Sequence, residues 1–596
     1  MVSKQERRQQ KRSRKQGRRD LSGKREAAVP RSPAEAVSLA GGLTRLEQFL
    51  ARRRRWIWGA LFAATAALYL AAASNELGGN FGGDDVQYLL LSKALAGGLG
   101  YADLYLPDHP AHTKYPPVFP LLLAPFNWLG HYQILGVHLL ICLLAAGVPL
   151  LWAGWVRRQG YSETAALGVL LLTATLPRYY QFLLHILSEV PFMFFSFLAL
   201  YAMARAGSRP KPRDLVFITL AALAALFTRT AGIGLVAALG IELLRRAEFR
   251  RLRLAGIPSP IFFGAAVGLA LLLWTLRNRG VGGTSLGYFQ EMMLKDVYQP
   301  TAGYLSASEF AARVFRRAYL YLTVLGLMAA RSVIFIVESQ VQHRHVFFLL
   351  PLLLGFFSRL RRGERSAEWC FLFSVLIVIS WWSFEDRFLI PLLPFASFYF
   401  ILGVRKIAGA MLSPLRLPSA RAGARGLTAL VGLVILLQQG WITARVVRSE
   451  HTDRWEPEFS LALNNGSVWS EPVINWSKFE WGMLGEQGIQ GYTRFMIMNR
   501  LAAERVPAGQ VILSRKSPLT AWLTGRPSVC YLFTEDVNAQ WEFLRRNRVA
   551  YAIVAAPVKE IKDLAANCPA CLQPVISFQD GWPALFKVRY PDESGK

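Results

Sequence analysis

Long apolar runs alternate with short basic clusters along most of this chain. A helix needs about 20 apolar residues to cross a bilayer. Runs approaching that length lie at roughly 56–74, 133–156, 164–182, 187–204, 215–228, 231–244, 261–277, 346–359, 369–384, 388–404 and 427–443. They predict eleven membrane-spanning helices. The basic clusters are Arg52 to Arg55, Arg157-Arg158, Arg205 to Arg213, Arg245 to Arg253, Arg359 to Arg365 and Arg405 to Arg425. All fall on one side if the N-terminus is cytoplasmic, as the positive-inside rule requires. A further apolar run, 318–337, would put Arg359 to Arg365 outside if it spanned. It is therefore expected as an interfacial helix on the outer face, with Arg331 snorkelling.

This topology leaves three pieces outside: the loops 75–132 and 278–345, and the region 444–596. The last is more polar. Within it VILS after Gln510, an LTGRPSV turn, DVNAQWEFLRRN and VAYAIVAAP read as strand, turn, helix and strand. The expectation is an α-helical polytopic membrane protein, with a transmembrane domain over 56–443 and a C-terminal extracytoplasmic α/β domain. Residues 1–55 are rich in Lys, Arg, Gln and Ser, with Phe49 as their one aromatic. They read as a disordered cytoplasmic tail rather than a cleavable signal peptide. No internal repeat is visible, which weighs against inverted-repeat transporters.

Composition agrees with a membrane protein. The 596 residues are 53% hydrophobic. The formal charge of +29 would suit nucleic acid, but it is scattered in clusters between apolar runs, so no nucleic-acid partner is expected. The tail's charge fits attraction to anionic lipid. Of five cysteines, Cys142 and Cys370 lie in apolar runs. Cys568 and Cys571 form a single CxxC with no second pair, which points to packing or a disulfide rather than zinc.

The candidate chemistry lies on the outer side. Asp84 and Asp85 follow the first span, in GGDDVQYL, and Lys114-Tyr115-Pro-Pro follows in the same loop. Glu189, Arg229, Arg277, Glu385, Asp386 and Arg387 sit at the outer ends of other spans. Singly, an end arginine can simply snorkel, and Glu385, Asp386 and Arg387 can pair among themselves. Together they make a mixed-charge rim on one face, where ionisable groups mark a site. An aspartate there can hold a hydroxyl or take its proton. Lys114, Arg277 and Arg387 can meet a leaving phosphate where charge develops. No GxxxxGK[ST] and no strand–GxGxxG–helix is present, so the donor is expected to be a lipid phosphate rather than a nucleotide.

These residues carry a family resemblance. GGDDVQYL (82–89), KYPPVFPLLLAPF (114–126), LSEVPF (187–192), RTAGI (229–233), LRNRGVGG (276–283) and DRFLIPLLPF (386–395) run in order. The chain resembles the GT-C glycosyltransferases, in the bacterial branch related to protein O-mannosyltransferases and the lipid A aminoarabinose transferase. The resemblance implies inverting transfer of a sugar from a polyprenyl-phosphate donor to a glycan, lipid or protein acceptor, at the outer face of the inner membrane. It gives Asp84 or Asp85 the role of base or acceptor guide, with Asp84 favoured. Lys114, Arg277 and Arg387 become lipid-phosphate ligands, and Glu189, Tyr115, Arg229 and Asp386 substrate-binding groups. In this chain Tyr115 separates Lys114 from the Pro-Pro, a departure from the family pattern. Some members need a divalent cation such as Mg or Mn and others do not; adjacent aspartates alone specify no ligand geometry. The runner-up reading, a transporter or flippase of lipid-linked glycans, requires charge near the midplane. Here the charge sits at span ends. A scaffold whose C-terminal domain binds an envelope partner is the third reading.

Overall fold

The computed structural model describes residues 34–74, 83–282, 287–297, 300–331, 338–361, 363–415, 420–451, 454–455, 461–469, 476–534, 536–556 and 559–591. Residues 1–33 of the expected tail and Gly82 of the GGDD motif lie outside the described residues. The chain divides into two compact units, Met1–Arg53 and Arg54–Lys596.

Residues 34–55, expected as part of a disordered tail, belong to helix α1, Ala34–Leu70. The Leu-, Ala-, Glu- and Arg-rich stretch before the first apolar run has high helix propensity, which the tail reading underweighted. Helix α2, Asp84–Ala96, lies within the stretch 75–132, expected as the first outer loop. Then follow α3 (Gln133–Arg158), α4 (Glu163–Ala174), α5 (Glu189–Ala206), α6 (Pro212–Thr228), α7 (Ile233–Arg245) and α8 (Ser259–Gly280). After these come α9 (Ala307–Arg331), α10 (Leu349–Leu360), α11 (Ser366–Ser380), α12 (Leu393–Leu412) and α13 (Ala420–His451). Among the described residues five helical stretches are long and apolar enough to cross a membrane: Val118–Arg158, Glu189–Ala206, Ser259–Gly280, Asp386–Leu412 and Ala422–Ser449. The protein is a multi-pass membrane protein. Helices α4, α6, α7, α10 and α11, on five of the expected spans, have 12 to 17 residues.

Two expectations change. The run 164–182 breaks after α4. Pro177 lacks an N–H and opens a separate short helix, Pro177–Gln181. Of the run 318–337 the described residues 318–331 lie in α9 and are largely enclosed by protein rather than resting on a surface; the remainder lies outside the described residues. Within α9, residues 323–329 are all buried, and Tyr321, Val324, Leu325 and Met328 join the main core. The first half of α9 is two-faced; its second half is apolar on every side and is enclosed by α11 and α12. Arg331 lies over the Phe348 ring, 5.7 Å away.

Helices α10 and α12 pack backbone to backbone. A Cβ at Gly355 would stand 1.8 Å from the Tyr399 carbonyl oxygen, and one at Gly403 1.7 Å from that of Pro351. Small residues permit such crossings where lipid offers little hydrophobic drive between helices.

The last bundle helix continues to His451, past the expected boundary at 443/444. Beyond it lie α14 (Lys478–Arg505), α15 (Ser517–Thr524), α16 (Val537–Arg546) and α17 (Lys559–Asn567). They accompany strands β1 (Val511–Ser514), β2 (Ser528–Val529), β3 (Val549–Val554), β4 (Leu572–Ser577) and β5 (Ala584–Val588), in sheet order β4-β5-β3-β1-β2. β1 pairs parallel with β2 and β3; β5 pairs antiparallel with β3 and β4. The antiparallel edge is absent from the sequence reading; the strand–turn–helix–strand corresponds to β1 through β3. Side chains alternate across β1. Val511 and Leu513 pack with Trp541 and Leu544, while Ile512 packs with Leu519 and with Val86 and Leu90 of α2. The α/β domain thus shares a core with the helix that carries both aspartates.

Candidate active site

Helix α2 starts abruptly. Gly83, at φ 94°, supplies a left-handed turn that side chains rarely adopt, and Asp84 and Asp85 occupy the first helical turn. Carboxylates there favour the helix dipole, which is a structural reason for them to be present at all. Consecutive helical residues point about 100° apart, so the pair diverges. The Asp84 side chain is 31% exposed, that of Asp85 4%.

Asp84 is held from two sides. Tyr115 donates its hydroxyl to Oδ1 at 2.9 Å, and Arg387 Nη1 donates to Oδ2 at 3.2 Å. Arg387 also pairs with Glu385 at 2.5 Å. Burial, reinforced by the Asp84 charge, pushes the Tyr115 phenol up, so it stays a donor. The Tyr115 backbone is fixed in turn. Its N–H donates to His112 Nε2 at 2.7 Å, and His112 Nδ1 faces Asp103 Oδ1 at 2.8 Å. The N–H contact makes Nε2 the acceptor, which leaves Nδ1 to donate to Asp103.

Asp85 faces inward. Its Oδ2 lies 3.8 Å from His185 Nδ1. Burial first, and the Asp84 charge second, push its carboxyl up to about 7. Burial first, and Arg178 second, hold the His185 imidazole down at about 3. Between those limits the two are a neutral carboxyl and a neutral imidazole, a cheaper arrangement in an enclosed place than an ion pair.

The other expected residues take separate positions. Glu189, at the start of α5, pairs with Arg229 at 2.7 Å; Arg229 also donates to Ser188, which accepts from Tyr88. Asp386 accepts from the buried Arg178 at 2.6 Å. Lys114 Nζ is 2.7 Å from Glu291 and sits over the Tyr288 ring. Arg277 is bound to loop backbone. It donates to the carbonyls of Tyr101 and His112 and stacks on Tyr101 and Trp274. Arg387, Asp84 and Tyr115 therefore come together directly, whereas Arg277 clamps the outer loop. Tyr88, Asp103, His112, Arg178 and His185 belong to these networks and escaped the sequence reading. Tyr88 stands in the quoted GGDDVQYL stretch and His185 two residues before LSEVPF; Asp103 and His112 carry no local signal.

Among the described residues no group of three His, Cys, Asp or Glu side chains is placed to hold a metal. Asp84 and Asp85 point apart, and Asp84 is engaged by Tyr115 and Arg387. Cys568 and Cys571 form a disulfide.

Residues 109–275 match the family model described as dolichyl-phosphate-mannose-protein mannosyltransferase. That stretch contains Lys114, Tyr115, Glu189 and Arg229 but neither aspartate nor Arg387. No curated protein matches the chain. ArnT from Cupriavidus metallidurans bound to undecaprenyl phosphate is similar over 89% of this chain and 98% of its own, with TM-score 0.53 at 13% identity. In its apo state the values are 90%, 98%, 0.52 and 13%. AglB from Archaeoglobus fulgidus, in complex with an inhibitory peptide and a dolichol-phosphate, is 10% identical over 88% of this chain and 74% of its own, with TM-score 0.49. The chain has the fold of the membrane protein ArnT, and its residues 109–275 are similar to the mannosyltransferase family model.

Proposed function

We propose that this protein is a membrane glycosyltransferase that moves a sugar from a polyprenyl-phosphate donor to a glycan, lipid or protein acceptor. It would work at the outer face of the inner membrane, with eleven spans, a cytoplasmic N-terminus and the α/β domain outside. The observation that carries the reading is the Arg387–Asp84–Tyr115 contact. One half-buried carboxylate and one guanidinium lie in direct contact, the pair of groups that a transfer with an anionic leaving group needs. The undecaprenyl phosphate bound to ArnT supports the donor class.

In the proposed reaction an acceptor hydroxyl attacks the anomeric carbon from the face opposite the phosphate. The carbon–oxygen bond to phosphate breaks, its electron pair stays on the phosphate, and the acceptor's proton passes to Asp84. Arg387 is shared between Asp84 and the arriving donor phosphate. Drawing it toward phosphate frees Oδ2 to accept the proton. Asp85, being enclosed, acts on Asp84 through its charge state rather than on substrate. Lys114, Glu189, Arg229 and Asp386 line and brace the site, and Arg277 holds the loop that bears Tyr115. The test is transfer of labelled sugar from a polyprenyl-phosphate donor by purified protein in detergent. Asp84→Ala is expected to lose about 100-fold or more; unchanged transfer sinks the assignment.

A further inference from the structure

The α/β domain reaches the candidate site through one side chain. Helix α15 packs against α2, and the two share the core of Val86, Leu90, Ile512 and Leu519. The residue just before α15 is Lys516, which is half-buried. Its Cδ lies 3.9 Å from the position a Cβ on Gly83 would take. Gly83 immediately precedes Asp84, so the lysine stem lies over bare backbone next to that aspartate. The charges that bear on Lys516 are Asp84, Asp85, Arg387 and Arg515; burial lowers the ammonium's pKa and Asp84 raises it.

The remaining cations of the rim are engaged elsewhere: Lys114 with Glu291, Arg229 with Glu189, Arg178 with Asp386, and Arg277 with backbone carbonyls. Arg387 and Lys516 both bear on Asp84. They come from opposite parts of the chain, one from the bundle and one from the outer domain. We propose that Lys516 binds the donor phosphate together with Arg387, so that the outer domain completes the donor site rather than serving the acceptor alone. This rests on the glycosyltransferase reading. When the bond from the anomeric carbon to the phosphate oxygen breaks, the electron pair remains on phosphate, and two cations then face the added charge.

The experiment is binding of undecaprenyl phosphate and of uncharged undecaprenol to the full-length protein in detergent, followed by native mass spectrometry. Lys516→Met is expected to weaken undecaprenyl phosphate about tenfold or more, and Lys516→Arg to restore most of it. Neither variant should change undecaprenol binding. Unchanged phosphate binding in Lys516→Met, with Arg387→Met impaired, overturns the role of Lys516 and leaves the donor reading standing. Equal loss of both lipids marks a packing role and also overturns it. If the unaltered protein does not prefer the phosphate over the alcohol, the donor reading falls, and this proposal with it.

Discussion

Arg387 reaches across 303 residues of chain to donate to Asp84, while Tyr115 takes the other oxygen of the same carboxylate. The two partners differ in kind. Arg387 brings charge and a second bond to Glu385; Tyr115 brings orientation. In the proposed reaction, removing Arg387 would take away charge stabilisation of the leaving phosphate as well as the hold on Asp84. Arg387→Met is expected to cut kcat by about 100- to 1000-fold. Arg387→Lys should retain part of it, because a point charge remains without the planar fork. Tyr115→Phe removes one hydrogen bond to a charged group and is expected to cost about tenfold. Steady-state kinetics with the lipid-linked donor checks the order of these three.

The inward pair predicts a pH effect of definite sign. The Asp85 carboxyl is raised from 3.8 to about 7 in the folded protein. Its contribution to stability is whole below pH 3.8 and is lost as pH rises through about 7. His185 works in the opposite sense. It is lowered from 6.5 to about 3, so stability is lost as pH falls from 6.5 towards that value. Asp85→Asn removes the first effect alone. The thermal midpoint of the Asn variant, relative to the unaltered protein in the same detergent, should rise from pH 5 to pH 8. A constant offset would mean Asp85 does not keep its proton.

Much of this was legible in sequence, for a physical reason. In a bilayer-spanning chain the long apolar runs make ionisable groups gathered at their ends stand out, and so Asp84, Glu189, Arg229, Asp386 and Arg387 announced themselves. Their pairing did not. Nothing in the order of residues says that Arg387 meets Asp84 while Arg277 meets carbonyls, because that depends on how distant helices dock. Lys516 was hidden for the complementary reason. In the polar α/β domain another lysine is unremarked, and only the shared core of Val86 and Ile512 brings it to Gly83. The break at Pro177 was visible, but a continuous apolar run masked it. The second half of α9 reads as interfacial until its neighbours are known.

The α10–α12 crossing makes a packing prediction. At Gly355 an added methyl would meet the Tyr399 carbonyl, and at Gly403 the Pro351 carbonyl; both are backbone and cannot rotate aside. Gly355→Ala and Gly403→Ala should each force the helices apart and lower stability by roughly 1–3 kcal/mol. Because the two positions touch the same crossing, the double variant should cost less than the sum. Urea or thermal unfolding in detergent, analysed as a double-mutant cycle, measures that coupling.

The buried pair Arg359–Glu368 gives a test that separates stability from chemistry. Arg359 Nε donates to Glu368 Oε1 at 2.9 Å, and the Tyr399 hydroxyl reaches the same oxygen at 3.3 Å. The Arg359 and Glu368 side chains are 1% and 0% exposed. Taking two charges out of water is expensive, so the pair adds little net, yet losing one partner strands the other. Arg359→Met is therefore expected to cost about 3–5 kcal/mol, and Arg359→Met with Glu368→Leu to recover most of it. Tyr399 follows Arg387 by twelve residues of helical chain, on the order of 18 Å at 1.5 Å per residue. Folded Arg359→Met protein should thus keep its KM for the lipid donor and most of its kcat, while its thermal midpoint falls. A fall in kcat matching that of Arg387→Met, in protein shown to be folded, would instead mean that the two ends of the bundle are coupled.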